Sequence, residues 1–313
     1  MSTDTPVIIA VVGATATGKS TLGIRLARRL GGEVVGADAS QLYRGMDIGT
    51  AKVPLVERDG IPHHQVDVLD VTQEASVSAY QQAARADIEA VRGRGSLAVV
   101  VGGSGLYVRA ALDRLEIPPT DPAVRQGLQD RADAGEVAGL RAELARADPE
   151  AAAAIEGNNT RRIVRALEVI AITGQPFSAT MPRREFVSPT VLVGLRLPRP
   201  VLDERIGART SRMFADGLIE ETRALERAGL REGVTARRAV GYAQALAVID
   251  RLMTPEEAVI DTTLRTRRLV RRQESWFGAD PRITWFDPSG ADLVDRVVDL
   301  VLRVASAGGP TPS

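Results

Sequence analysis

Lys19 and Ser20 close the segment GATATGKS (13–20), which follows an apolar run, VIIAVV (7–12), and precedes TLGIRLARRL (21–30), where apolar and basic residues recur at helical spacing. A strand, a glycine-rich turn and a helix, with G-x-x-x-x-G-K-[ST] at the junction, make a phosphate cradle. Gly13, Ala14, Thr15, Ala16, Thr17 and Gly18 supply the backbone that wraps a diphosphate. Lys19 neutralises it, and the Ser20 hydroxyl can ligate Mg²⁺. Such a loop commonly holds ATP or GTP, but what it reads is phosphate and not the group attached to it.

A phosphoryl-transfer enzyme built on this loop also needs an acid at a strand end to position Mg²⁺. The most apolar strand, SLAVVV (96–101), runs into GGSG (102–105) without one. The strand-end acid near the loop is instead Asp38, which closes EVVGAD (33–38) and opens DASQLYRGMDIGTAK (38–52). Gln41, Tyr43 and Asp47 make that loop suitable for a polar heterocycle. From position alone, a turn or cap acid is the competing reading of Asp38.

These residues need a scaffold that brings strand ends together. Strand-like segments at 7–12, 33–38, 96–101, 190–197 and 282–287 alternate with helical ones at 19–30, 76–92 and from Ser104 onward. Further helices are expected over 200–228, 236–250 and 255–276. The predicted class is α/β: a parallel sheet of the phosphate-loop type with helices on both faces. Ligands in such sheets bind beyond the carboxyl ends of the strands, where Gly13, Asp38 and Gly102 to Ser104 converge. From IPPTDP (117–122) to 187 the sequence turns Ala-, Arg- and Glu-rich, with helical periodicity and no strand-like run. The expected organisation is a core of 1–116 and 188–305, an all-helical insertion of 117–187 and a disordered tail of 306–313.

Composition narrows the function classes. At 313 residues and 44% apolar the chain is globular; forty basic residues balance forty acidic ones, so nucleic-acid affinity must come from local clusters. Without cysteine there is no disulfide, thiolate or Cys-type zinc chemistry. No apolar run is long enough to span a bilayer, and no charged signal-peptide start is present, so a cytoplasmic protein is expected. Only Lys19 and Lys52 are lysines; the other thirty-eight basic residues are arginines. A codon bias explains the excess but not the exceptions. Lys19 must fit between phosphate oxygens, which makes Lys52 a candidate for an equally strict demand. Adjacent His63 and His64 lack the cysteine neighbours or i, i+4 spacing of a zinc site.

GATATGKS, DASQLYRGMDIGTAK, PHHQVDV, VGGSGLYVRA, NNTRRIVRALEV, AVGYAQAL and RTRRLVRRQESWF occur in the order and rough spacing of the tRNA dimethylallyltransferases, which the chain resembles from about residue 7 to 288. The resemblance implies transfer of a dimethylallyl group from dimethylallyl diphosphate to N6 of the adenosine 3′ of the anticodon, position 37, in tRNAs reading codons that begin with U. It makes Asp38 the general base, places Ser104 near the reacting centre and directs Arg209 at the diphosphate. Taken alone, Arg209 would read as a solvated helix face. Mg²⁺ is the implied cofactor, with Ser20 as its ligand. Asp38, Ala39, Ser40, Gln41 and Ser104 are implied to hold the flipped target base. Arg125 and the segment Arg161, Arg162, Ile163, Val164 and Arg165 are implied to contact the tRNA anticodon stem-loop. A run of arginines at 265, 267, 268, 271 and 272 offers a basic helix face or merely a solvated one. A monomer is expected.

The chain departs from the family pattern at Ala39, usually serine, at Ala14, usually proline, and at Ser20, usually threonine. An adenylate dimethylallyltransferase would need no remote basic segment. A small-molecule kinase would need the missing strand acid, and an RNA-binding NTPase would have no use for the Asp38 loop.

Overall fold

The computed structural model describes residues 7–157, 159–180 and 184–306. The chain divides into two compact units, Met1–Leu112 with Phe186–Ser313, and Asp113–Glu185.

The first unit is built on six strands: β1 (Ile8–Gly13), β2 (Gly32–Gly36), β3 (His63–His64), β4 (Leu97–Gly102), β5 (Thr190–Leu195) and β6 (Ile283–Phe286). They lie in the order β3-β2-β4-β1-β5-β6 and pair in parallel throughout. The central strand β1 is buried at every position, so its sequence is a continuous apolar run rather than an alternating one. Ile9 and Val11 face one side, where α1 (Lys19–Leu30) contributes Leu22 and Leu26. Helices α2 (Val77–Gly93) and α3 (Gly105–Leu112) cross between strands and pack on β4.

The sequence periodicity places most elements within two residues, with instructive exceptions. The helical stretch over 200–228 is two helices, α8 (Arg199–Ala215) and α9 (Leu218–Arg227), separated at Gly217, whose φ of +100° ends one and starts the other. The 236–250 stretch begins with a single 3-10 turn, and α10 (Tyr242–Ile249) starts only after Gly241, at φ +96°. Then α11 (Pro255–Gly278) follows, with Thr254 and Glu257 forming a reciprocal capping box. Sequence reading passed over α12 (Leu293–Ser306), although Leu293, Val297, Val298 and Val301 form a buried stripe at helical spacing against the β1 face. Ser306, expected in the tail, is its last residue, and 307–313 lie outside the described residues.

The second unit is helical: α4 (Pro122–Asp133), α5 (Val137–Ala147), α6 (Pro149–Ala154) and α7 (Thr160–Thr173), closed by a 3-10 turn at Phe177–Thr180. Its own core gathers Leu140, Leu144, Ile155, Ile163 and Leu167. Asp121 caps α4 by accepting the N–H groups of Ala123 and Val124 at 2.8 and 3.1 Å. Asp148 caps α6 through Ala151, at 3.0 Å, and also receives the Ser178 N–H at 2.7 Å. The Arg114 N–H meets the Glu185 carbonyl at 2.7 Å, bringing the ends of the unit together.

Candidate active site

The phosphate loop connects β1 to α1. Gly13 has φ +134°, and a Cβ there would stand 2.5 Å from the Leu195 carbonyl oxygen, so β5 excludes any side chain. Gly18, at φ +92°, turns the chain into the helix. Within the loop, the Thr17 hydroxyl donates to the Ala14 carbonyl at 2.8 Å and the Lys19 ammonium to the same oxygen at 2.6 Å. Burial pushes Lys19 down to about 8; Asp38 partly offsets this, and Arg209 adds to it. A half-buried cation with a neutral hydrogen-bond partner is set to gain from an arriving anion.

Asp38 follows β2 and is placed by β4. The Ala37 N–H donates to the Val101 carbonyl at 2.8 Å. A Cβ on Gly102 would come within 2.1 Å of the Ala37 carbonyl, so the two strand ends touch only because that residue is glycine. One Asp38 oxygen, Oδ1, accepts the Ser40 N–H at 3.0 Å, the turn role that sequence left open. The other has no hydrogen-bond partner among the described residues. Ser104, at the end of β4, accepts the Ala39 N–H on its hydroxyl at 3.3 Å and donates its own N–H to Ala37 at 3.3 Å. It buttresses the turn that aims Asp38. The Tyr80 hydroxyl, donating to Gly36 at 2.8 Å, braces the same strand end.

Two cavities meet at this carboxylate. The larger, about 460 Å³, is lined by Lys19, Ser20 and Gly18 of the phosphate loop and by Gln41 and His63. The smaller, about 250 Å³, is lined by Ser40 and by apolar side chains including Ile206, Met213 and Leu269. Asp38, Arg209, Thr15, Ala16 and Thr50 line both. Arg209, on α8, donates to the Thr15 hydroxyl at 3.2 Å and to the Thr50 carbonyl at 3.5 Å, both neutral oxygens. Burial pushes its pKa down, and Asp38 opposes the shift. Gln41 donates to the same Thr50 carbonyl at 3.1 Å. The structure therefore brings Asp38, Ser104, Arg209, Gln41 and Gly13 to Ser20 to one strand-end region.

Sequence reading missed Gln273. Its amide oxygen accepts the Thr15 N–H at 2.9 Å and its amide nitrogen donates to the Gly103 carbonyl at 2.9 Å, tying the phosphate loop to the loop after β4. A signal existed: Gln273 stands between Val270 and Phe277 on the buried stripe of an arginine-rich helix, where a polar residue needs a partner. The second lysine also has its explanation. Lys52 is 8% exposed and donates to the Tyr43 carbonyl, to Asp47 at 2.9 Å and to Asp67. A compact ammonium satisfies three acceptors converging from different directions, which a planar guanidinium fork would not.

The residues of the helical unit divide. Arg161 and Arg162 are exposed, whereas the side chains of Ile163 and Val164 pack inward in the core. Arg125 and Arg165 both bond Glu168, at 2.7 and 2.8 Å, and Arg165 also donates to Pro118 and Pro119 at 2.7 and 2.9 Å. On α11, Arg265 pairs with Asp261 at 2.6 Å, while Arg268, Arg271 and Arg272 are exposed. His64 stands 2.7 Å from Glu33, and His63 contacts the Ile61 carbonyl at 2.9 Å. Among the described residues no group of three His, Cys, Asp or Glu side chains could hold a metal by itself. No helix among them is long and apolar enough to cross a membrane.

The IPP transferase family model matches residues 41–280. A tRNA dimethylallyltransferase of Thermobifida fusca is 56% identical over 94% of both chains, and one of Streptomyces avermitilis 55% identical over 93% of both. This chain belongs to the tRNA dimethylallyltransferase family. Among solved structures, the tRNA isopentenylpyrophosphate transferase of Bacillus halodurans is similar, with a TM-score of 0.71, 36% identity and coverage of 96% of this chain and 97% of the other. A eukaryotic dimethylallyltransferase acting on tRNA shares the fold at a TM-score of 0.82 and 23% identity, covering 98% of this chain and 81% of its own. The family model begins after Asp38, but the relatives' matches extend to over nine-tenths of the chain.

Proposed function

We propose that the chain transfers a dimethylallyl group from dimethylallyl diphosphate to N6 of adenosine 37 in tRNAs reading codons that begin with U, releasing diphosphate. The observation that carries this reading is the position of Asp38, in the wall shared by the phosphate-loop cavity and the more apolar one. A carboxylate there can reach a proton on one substrate while the leaving group of the other lies against Lys19 and Arg209. The N6 lone pair attacks the allylic carbon, the carbon–oxygen bond to diphosphate breaks, and Asp38 accepts the N6 proton through its unpartnered oxygen. Lys19, Arg209 and the amides of the loop take up the charge that develops on the departing oxygen.

Mg²⁺ fits the donor set: Ser20 presents one hard oxygen beside the lysine, and this ion typically takes its remaining ligands from phosphate and water. Bound there with the substrate, it would further neutralise the diphosphate. Ser104 holds the Asp38 turn, and Ser40, Gln41 and the N–H of Ala39 lie where the flipped base would enter. Extrusion is required because N6 is otherwise inside a stacked loop. Arg161 and Arg162, the exposed part of Arg125 and the free face of α11 supply phosphate contacts to the anticodon stem-loop. Action as a cytoplasmic monomer belongs to the same reading. The test is incubation with Mg²⁺, dimethylallyl diphosphate and unmodified tRNA, followed by nucleoside mass analysis. Isopentenyladenosine is expected; its absence, or modification of free AMP instead, would overturn the reading.

A further inference from the structure

The loop that carries Gln41 also runs past a second carboxylate that the reaction does not use. Glu221, on α9, accepts the backbone N–H groups of Asp47 at 3.2 Å, Ile48 at 2.9 Å and Gly49 at 3.5 Å. The Tyr242 hydroxyl, from the start of α10, donates to the same carboxylate at 2.6 Å and accepts the Gly49 N–H at 3.2 Å. Successive backbone N–H groups converging on one anion form a nest of the kind that elsewhere binds phosphate; here the anion is the chain's own. The fit is close. A Cβ on Gly49 would fall 2.5 Å from the Tyr242 ring, so the segment can sit against the tyrosine only as glycine.

The residue immediately after this nest is Thr50. Its carbonyl receives both the Arg209 guanidinium, at 3.5 Å, and the Gln41 amide, at 3.1 Å. Fixing Asp47 to Gly49 therefore fixes the one acceptor that the two side chains share. Lys52 holds the far side of the same loop through Tyr43, Asp47 and Asp67, so the segment is pinned at both flanks of Thr50.

We propose that Glu221, braced by Tyr242, is a positioning residue for transfer. It clamps the 47–49 backbone so that the Thr50 carbonyl aims Arg209 at the diphosphate and Gln41 at the target base. Glu221 touches neither substrate and acts only through that carbonyl. The inference rests on the function proposed above. It also gives three separated stretches, GMDIGTAK, GLIEETRAL and AVGYAQAL, one shared purpose.

The test uses the full chain, Mg²⁺, dimethylallyl diphosphate and unmodified tRNA, with wild type, Glu221→Gln, Tyr242→Phe, Arg209→Ala and the double variant Glu221→Gln/Arg209→Ala. Glu221→Gln turns amide hydrogens toward the nest and is expected to lower kcat at least tenfold. On the Arg209→Ala background the same change should cost clearly less than it does on wild type, because one of the two side chains that it aims is gone. Tyr242→Phe keeps the ring against Gly49 and should lower kcat three- to tenfold with the thermal midpoint held near that of wild type. It carries the test if Glu221→Gln does not fold. Losses that multiply in the double variant, or a Tyr242→Phe enzyme with wild-type kcat, would overturn the proposal. An inactive wild type would instead sink the functional reading itself.

Discussion

Arginine means different things in the two units of this chain. In the sheet unit, Arg209 and Lys19 are half-buried with hydrogen bonds to neutral oxygens, and desolvation lowers the pKa of both. In the helical unit, Arg125 and Arg165 converge on Glu168, which is fully buried and held well below the usual carboxylate range, against its own desolvation, by those two arginines and the Asp121 N–H. The first arrangement leaves cationic charge to be completed by a ligand. The second completes itself and fastens Pro118 and Pro119 to α7. Residue type cannot tell these apart; an acid in hydrogen-bond contact, or its lack, can.

The contrast can be broken at either end. Arg209→Ala should cost about a hundredfold or more in kcat/KM, the scale of removing one preorganised charge from a developing anion, with little change in melting. A large loss of stability and an intact rate would reverse the assignment. Arg209→Lys should recover only part, since an ammonium does not reproduce the fork that spans Thr15 and Thr50.

Glu168→Ala should do the opposite. It leaves Arg165 and Arg125 without their carboxylate and should destabilise the helical unit by about 2–3 kcal/mol, below the usual range for a broken buried pair because Arg125 is half exposed. Thermal unfolding and amide exchange in α4 and α7 would read it. Exchange in that unit identical to wild type would contradict the fastening role.

The sheet-side cation also titrates within reach. Diphosphate favours protonated Lys19, so affinity is complete below its free-enzyme value of about 8 and falls as pH rises beyond it. The KM for dimethylallyl diphosphate should be flat to about pH 8 and then climb, approaching tenfold per unit; a flat profile to pH 9.5 would mean that Lys19 stays charged without its ligand. The smallest effect belongs to the exposed arginines. Arg161→Ala and Arg162→Ala should each raise the KM for tRNA severalfold and reduce the salt dependence of binding by about one counterion, without touching melting.

Much of this was legible in the sequence because local rules and tertiary demands agree there. The phosphate loop announces itself by glycines that the β5 backbone and the turn into α1 require, whereas the strand-end position of Asp38 is equally that of the turn acid it also is. What sequence could not show are partners far apart along the chain. Gln273 reaches Thr15 and Gly103 from near the C-terminus, and Glu221 reaches the 47–49 backbone. Neither sits in a motif that names its target. Ile163 and Val164 fall within the segment that the resemblance assigns to tRNA contact, but on α7 the exposed Arg161 and Arg162 are followed directly by these two buried aliphatics, whose side chains lie in the core. The arginine excess hid Glu168 in turn, since an arginine near an acid is unremarkable in a chain with forty acids.

In the proposed reaction Asp38 serves the chemistry at the junction of two cavities and not the grip on diphosphate. Asp38→Asn keeps the size of the side chain and its bond to the Ser40 N–H, and removes the base. Measured side by side, isopentenyladenosine formation by this variant should fall by about a thousandfold or more, while its affinity for inorganic diphosphate with Mg²⁺ stays within a few-fold of wild type. Loss of both together would show that Asp38 belongs to the diphosphate site and would contradict the assignment.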